Sequence, residues 1–140
     1  MIFVNLPVSD LAASMRFYEA IGFTNNPQFT SEQAAAMMWS DEIVVMLLQH
    51  EFWKTFTSKT IPDAHRSAQV MLAISQDSRE AVDAIVQRAR EAGGGIEPVP
   101  TQDLGFMYNR SFEDLDGHIW EAAHMDMSAA EQAAIQHAGT

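Results

Sequence analysis

No cysteine occurs in the 140 residues. Disulfides, thiolate metal sites and a cysteine nucleophile are therefore excluded, and a chain without disulfides is compatible with the cytosol. Positive charge is scarce. Eight Lys and Arg stand against 19 Asp and Glu, giving a net charge of −11. Such a chain repels a phosphate backbone and an anionic bilayer surface, so neither nucleic acid nor membrane is an expected partner. The acidity reads first as solubility. No apolar run is long enough to cross a bilayer. The opening Met1-Ile2-Phe3-Val4-Asn5 lacks the basic region of a signal peptide. The expected location is the cytoplasm. No low-complexity stretch, catalytic triad or phosphate loop is present. Gly93-Gly94-Gly95 follows a helix instead of opening one, and no G-K-[ST] accompanies it.

Apolar residues make up 47% of the chain, enough to bury the core of one domain of this length. Residues 2–8 read as a strand, and Ser9 or Asp10 offers an N-cap. Leu11, Met15, Tyr18 and Ile21, with Phe17 beside them, make one helical face, and Gly22 suits a left-handed C-cap. A short strand begins at Phe23-Thr24 and is broken by Asn25-Asn26-Pro27. Residues 33–40 and 43–48 read as a hairpin. Residues 51–61 are amphipathic and ambiguous. The second half repeats the plan. A strand at 68–75 leads to a helix over 78–92, capped by Asp77 or Ser78, whose stripe is Ala81, Val82, Ile85, Val86 and Ala89. Strands follow at 96–99, 105–113 and 118–124, and Ser128-Ala129-Ala130-Glu131 is a capping box for a last helix. Strand, helix, three strands occur twice, as an internal duplication would give. The expected organisation is a single α+β domain over 1–140, with unit one at about 1–62, unit two at about 66–125 and a C-terminal helix at about 128–138.

Two stretches carry a family resemblance. Val8-Ser9-Asp10-Leu11-Ala12-Ala13-Ser14-Met15-Arg16-Phe17-Tyr18, continuing to Ile21-Gly22-Phe23, is similar to the V-x-D-L-x-x-S-x-x-F-Y opening of glyoxalase-like domains. Phe112-Glu113-Asp114-Leu115-Asp116-Gly117-His118-Ile119-Trp120-Glu121 resembles their F-x-D-P-D-G-x-x-x-E hairpin, with Leu115 in place of the usual proline. The chain thus resembles the glyoxalase/bleomycin resistance protein/extradiol dioxygenase (vicinal oxygen chelate) superfamily, in its glyoxalase-like, lactoylglutathione-lyase-related branch. The resemblance implies two tandem βαβββ units forming a curved mixed-sheet cup with the helices outside. It also implies a homodimer, as is common among small members.

Metal-dependent relatives place four ligands on the first and last strands of the two units. The resemblance puts these positions at Phe3, Met46, Gln69 and Glu121. A divalent metal that polarises a carbonyl or activates oxygen prefers imidazole and carboxylate. Only Glu121 qualifies, so no cofactor is expected and the usual metal is disfavoured. None of the histidines forms an H-x-x-x-H or H-E-x-x-H pattern, and strand alternation turns His118 and His124 away from Glu121. The implied cup lining is Phe3, Asn5, Met46, Leu48, Gln69, Met71 and Glu121, with Tyr108 or Asn109 according to register. Such a lining is apolar with few polar points, as small-molecule sites usually are, although the same side chains serve equally as packing. Within it Glu121 is either a catalytic base or ligand anchor, or a carboxylate satisfied by Gln69, Arg110 or Tyr108. Phe52-Trp53-Lys54-Thr55-Phe56 can form a pocket lid, or a linker that covers a sheet edge or a dimer contact.

Three functions fit. The leading one is metal-free binding of a small organic molecule in the cup. The second is a lyase or dioxygenase of the glyoxalase type, using an unusual metal site or Glu121 alone. The third is a non-catalytic module whose cup is filled by its own side chains.

Overall fold

The computed structural model describes residues 1–128 together with Glu131 and Ala134. Unit one runs β1 (Ile2–Val8), α1 (Leu11–Ala20), β2 (Thr24–Asn26), β3 (Ala34–Met38) and β4 (Ile43–Gln49), followed by a one-turn helix α2 (His50–Trp53). Unit two runs β5 (Met71–Ser75), α3 (Arg79–Glu91), β6 (Gly95–Ile96), β7 (Gln102–Asp103), β8 (Met107–Glu113) and β9 (Ile119–Met125). The C-terminal helix expected at 128–138 lies outside the described residues.

Local chemistry explains the element limits. Asp10, in an extended conformation, accepts the Ala13 N–H at 3.1 Å and starts α1. Gly22 stops it at φ +116°, a value costly for any side-chain-bearing residue. Ser78 caps α3 in the same way, accepting from Ala81 N–H at 3.0 Å. Strand β5 begins at Met71, three residues later than the sequence pattern placed it. Met71 pairs with Ile119, the first residue of β9, so Ala68, Gln69 and Val70 have no ladder partner there. The strand expected at 96–99 shrinks to Gly95–Ile96, because Ser111 takes over the pairing of Val99. Its hydroxyl donates to the Val99 carbonyl and accepts the Val99 N–H.

The two units share one topology. Sheet one has the order β1-β4-β3-β2, with β1 parallel to β4 and the rest antiparallel. Sheet two has the order β5-β9-β8-β6, with β5 parallel to β9 and β7 added beside β8. The sheets do not close into a barrel. One continuous core lies between them, and α1 and α3 both contribute to it. Phe17 packs against Phe112, while Tyr18 and Phe23 pack edge-on to Trp120. Burying each such side chain contributes roughly 1.5–3 kcal/mol.

A polar tie locks the units. The Tyr18 hydroxyl donates to Asp114 Oδ2 at 2.6 Å and accepts from Trp120 Nε1 at 3.0 Å. Asp114 Oδ1 accepts the backbone N–H groups of Asp116 and His118. Asp116 in turn accepts the Ser9 N–H at 2.9 Å, and His118 Nε2 lies 2.8 Å from the Pro7 carbonyl. A carbonyl can only accept, so Nε2 carries the proton. The two aspartates of the Asp114–Gly117 hairpin thus hold unit two to both ends of α1, Asp116 at Ser9 before it and Asp114 at Tyr18 in its last turn. Gly117 completes the corner at φ +94°.

Candidate functional site

Alternation on each strand sends one set of side chains into the shared core and the other outward. On sheet one, Leu6, Val8, Ala35, Met37, Val45 and Leu47 are buried in the core. The opposite face carries Phe3, Asn5 and Pro7 on β1, paired with Val44, Met46 and Leu48 on β4. Ala34 and Ala36 of β3 complete it beside Leu48 and Met46. The small alanines leave a hollow there. Phe52, Trp53 and Phe56 rise beside it from α2 and the segment after it, and Phe29 closes another side. The result is a cavity of about 490 Å³, floored by Asn5, Ala34, Met46 and Leu48. Among the described residues, Asn5, Ser31 and Thr57 supply its polar side chains.

The structure therefore joins three of the sequence-predicted lining residues, Asn5, Met46 and Leu48, in one pocket. Phe3 stands on the same face but is 58% exposed. Of the segment 52–56, Phe52, Trp53 and Phe56 form the pocket wall, the geometry a lid requires. Their 52, 53, 56 spacing was the signal for that face. Phe29 ends a single 3-10 turn (Pro27–Phe29) and Ser31 follows it in a loop, and neither gave one.

Unit two's share of the expected lining sits elsewhere. Glu121 pairs with Ala73 and Ser111 on the outward face of sheet two, where Met71, Ile119, Ala123 and Asn109 join it. Met71 is 57% exposed. Glu121 is half-buried and accepts from Asn109 Nδ2 at 3.4 Å, a long contact, whereas Asn109 Oδ1 is buried without a partner among the described residues. Glu121 lines none of the cavities described here. Gln69 precedes β5 and meets Asn5 in a separate cavity of about 200 Å³ where the two units adjoin.

Tyr108 departs from the expected lining. It shares the parity of core-facing Phe112, so it turns toward α3, where its hydroxyl donates to Asp83 Oδ1 at 2.7 Å and Arg79 stacks on its ring. Asn109 is the residue that faces outward with Glu121. Arg110 shares the face of Tyr108 and bridges Asp83 and Glu97 at 2.9 and 2.7 Å. The Tyr108 hydroxyl, then Arg110, hold Asp83 below its ordinary carboxylate value, and Arg110 does the same for Glu97. Neither Tyr108 nor Arg110 serves Glu121; Asn109 does.

The donor set does not fit the metal of the metal-dependent relatives. Register places Asn5 beside Met46 and Ala73 beside Glu121, so the positions next to the last strands offer an amide and a methyl group. Among the described residues no three His, Asp or Glu side chains gather as a metal site. One carboxylate, one amide and one thioether are a poor set for a hard or borderline divalent ion.

The comparisons agree with this architecture. The Glyoxalase/Bleomycin resistance protein/Dioxygenase superfamily is matched over residues 2–122, and the chain belongs to it. A hypothetical protein from S. aureus shares 28% identity at a TM-score of 0.75, over 89% of this chain and 92% of that one. A glyoxalase/bleomycin resistance protein/dioxygenase family enzyme from Burkholderia phytofirmans PsJN shares 20% at 0.74, over 88% and 96%. The fosfomycin resistance protein FosX from Mesorhizobium loti shares 15% at 0.67, over 93% and 95%. The last two show the fold alone. A search of curated proteins gives no match. No helix among the described residues is long and apolar enough to cross a membrane.

Proposed function

We propose that this chain binds a small, largely apolar organic molecule in the pocket of unit one, in the cytoplasm and without a divalent metal. The observation that carries the reading is the 490 Å³ cavity with aromatic walls, a methionine and leucine floor and an amide at its base. Ligand sites of this volume, mostly apolar with a few placed polar groups, suit drug-sized molecules. Trp53 and the phenyl rings supply flat faces, Met46 adapts to shape, and Asn5 orients one polar atom of the ligand. That superfamily members act on varied chemistry does not assign a reaction to this one.

Pairing of two chains belongs to the same proposal. Phe3 and Met71 are each exposed on the outward face of one sheet, and exposed apolar side chains of this kind suit an interface. A second copy laying its unit two across unit one covers both and brings Glu121 to the rim of the pocket. Glu121 then acts as a polar anchor for the ligand. The reading as a lyase centred on Glu121 rests on the same arrangement and would need product formation to favour it.

The test uses N-phenyl-1-naphthylamine, a neutral apolar fluorophore, read by its emission and by quenching of the tryptophan emission, a quenching expected to disappear in Trp53→Phe. Saturable binding is expected, with an affinity lowered at least about fivefold in Phe56→Ala, since removing one aromatic wall costs on the order of 1 kcal/mol or more. Phe56 is 66% exposed, so the fold should survive the change. Unsaturable binding, or equal affinity in the variant, would contradict the proposal.

A further inference from the structure

On the other side of α2 lies a second and larger hollow, of about 850 Å³, between the segment 57–65 and the hairpin at 115–118. Its lining departs from the rest of the molecule in charge. The chain has two lysines, Lys54 and Lys59, and both are here. So are His50, His65 and His118, three of its five histidines. The hydroxyls of Thr57, Ser58 and Thr60 stand among them. In a chain of net charge −11, this is a local concentration of cationic groups and hydrogen-bond donors.

The two carboxylates on the lining equal the lysines in number, and His65 Nδ1 lies 3.9 Å from Glu113 Oε2, but both lining carboxylates are engaged by other groups. Asp116 is occupied by the Ser9 N–H and lies 3.5 Å from the Ser14 hydroxyl. Asp63 accepts the His65 N–H and lies 3.9 Å from Arg66. The donors are freer. Lys59 has no carboxylate partner among the described residues. Lys54 holds only Glu51, one helical turn away and at the surface, a pair too weak to compete with a bound anion. The His50 ring makes no hydrogen bond among the described residues. The ring of His118 is committed to Pro7 and is not counted.

From this geometry we propose a second binding site, distinct from the apolar pocket, that takes the oxyanion of a small organic acid or phosphate ester between Lys54 and Lys59. An inorganic anion alone would leave most of 850 Å³ unfilled, so the natural ligand carries an organic body as well. Charge-assisted hydrogen bonds from ammonium and imidazole supply the affinity, and the hydroxyls complete the shell. The two sites share one wall, since Thr57 lines both. Thr57 therefore cannot tell them apart, and the anion is read at residues 58–65 and 115–118, which do not line the apolar pocket.

The full-length chain is titrated with inorganic phosphate and, separately, with malonate, following backbone amide NMR shifts. Saturable shifts confined to residues 50–65 and 115–118 are expected, and the anion that binds more tightly names the head group. Lys54→Gln combined with Lys59→Gln should weaken binding about tenfold or more. Arg88→Gln combined with Arg90→Gln, which removes the same charge from exposed positions on α3, should change it by less than about twofold. Shifts spread over all basic residues, no saturation by either anion, or equal loss in the two double variants would overturn the proposal.

Discussion

Tyr18 shows how much one hydroxyl carries. It is fully buried, donates a hydrogen bond to Asp114 and accepts one from Trp120. Tyr18→Phe leaves the indole N–H without its acceptor and Asp114 Oδ2 without its donor. At about 1–3 kcal/mol for each of the two buried groups left unpaired, roughly 2–6 kcal/mol of stability should be lost, measured by urea unfolding. Burial, reinforced by the Asp114 charge, raises the Tyr18 phenol well above its ordinary value. The folded chain then keeps a proton that the unfolded chain releases. This contribution is intact below the ordinary phenol value of about 10 and is lost as pH rises through it toward the folded value. Thermal unfolding followed above pH 10 should show this fall in the native chain, with a smaller slope in Tyr18→Phe. An equal slope would show that Tyr18 does not set it. Burial also raises the Asp114 carboxyl, so its contribution is largest in acid and is lost as pH rises through its folded value.

At the scale of elements, the pairing of strands to helices depends on close approach at one glycine. A Cβ on Gly94 would collide with the Glu113 carbonyl and lie 2.8 Å from Phe17 of α1. Gly94→Ala should destabilise the chain by about 1–3 kcal/mol in chemical denaturation, the cost of overpacking a rigid contact. No measurable loss would mean that α3 and β8 are free to separate. The element order was legible because caps, breakers and β-branched runs are local signals. Asp10, Gly22, Ser78 and Gly117 each act within a few residues of themselves. Strand ends were less legible. The start of β5 depends on where β9 begins, 48 residues later, and no local signal at Val70 contains that information. The side of β8 on which Tyr108 lies was recoverable, because counting back by twos from Phe112 puts Tyr108 and Arg110 on the core side. The roles of Asp114 and Asp116 were not, since their partners Tyr18 and Ser9 lie about a hundred residues away.

For the whole molecule, the consequence of the fold is that a single chain does not enclose its expected cup. Unit one supplies Asn5, Met46 and Leu48 to one pocket, and unit two holds Glu121 and Met71 on a separate outward face. Of the residues the sequence pointed to, Asn5, Met46 and Leu48 share one pocket, whereas Tyr108 turns to α3 and Gln69 lies before β5. Whether the units face each other or a neighbour was not legible, because that depends on how two complete sheets pack. The exposed Phe3 and Met71 argue for the neighbour. Size-exclusion chromatography with light scattering at micromolar concentration should give a dimer, and Phe3→Glu combined with Met71→Glu should give a monomer that remains folded. A native chain that is monomeric at that concentration would remove Glu121 from the pocket rim.

The claim at the centre of this account is that the unit-one pocket binds an apolar molecule unaided by metal. Titration of N-phenyl-1-naphthylamine into chain stripped with EDTA, then repeated with zinc, nickel, manganese or iron(II) restored, tests it most directly. The account predicts the same saturable binding in every case, at one site per chain. Binding that appears only when a metal is restored, and disappears again in Glu121→Gln, would contradict it.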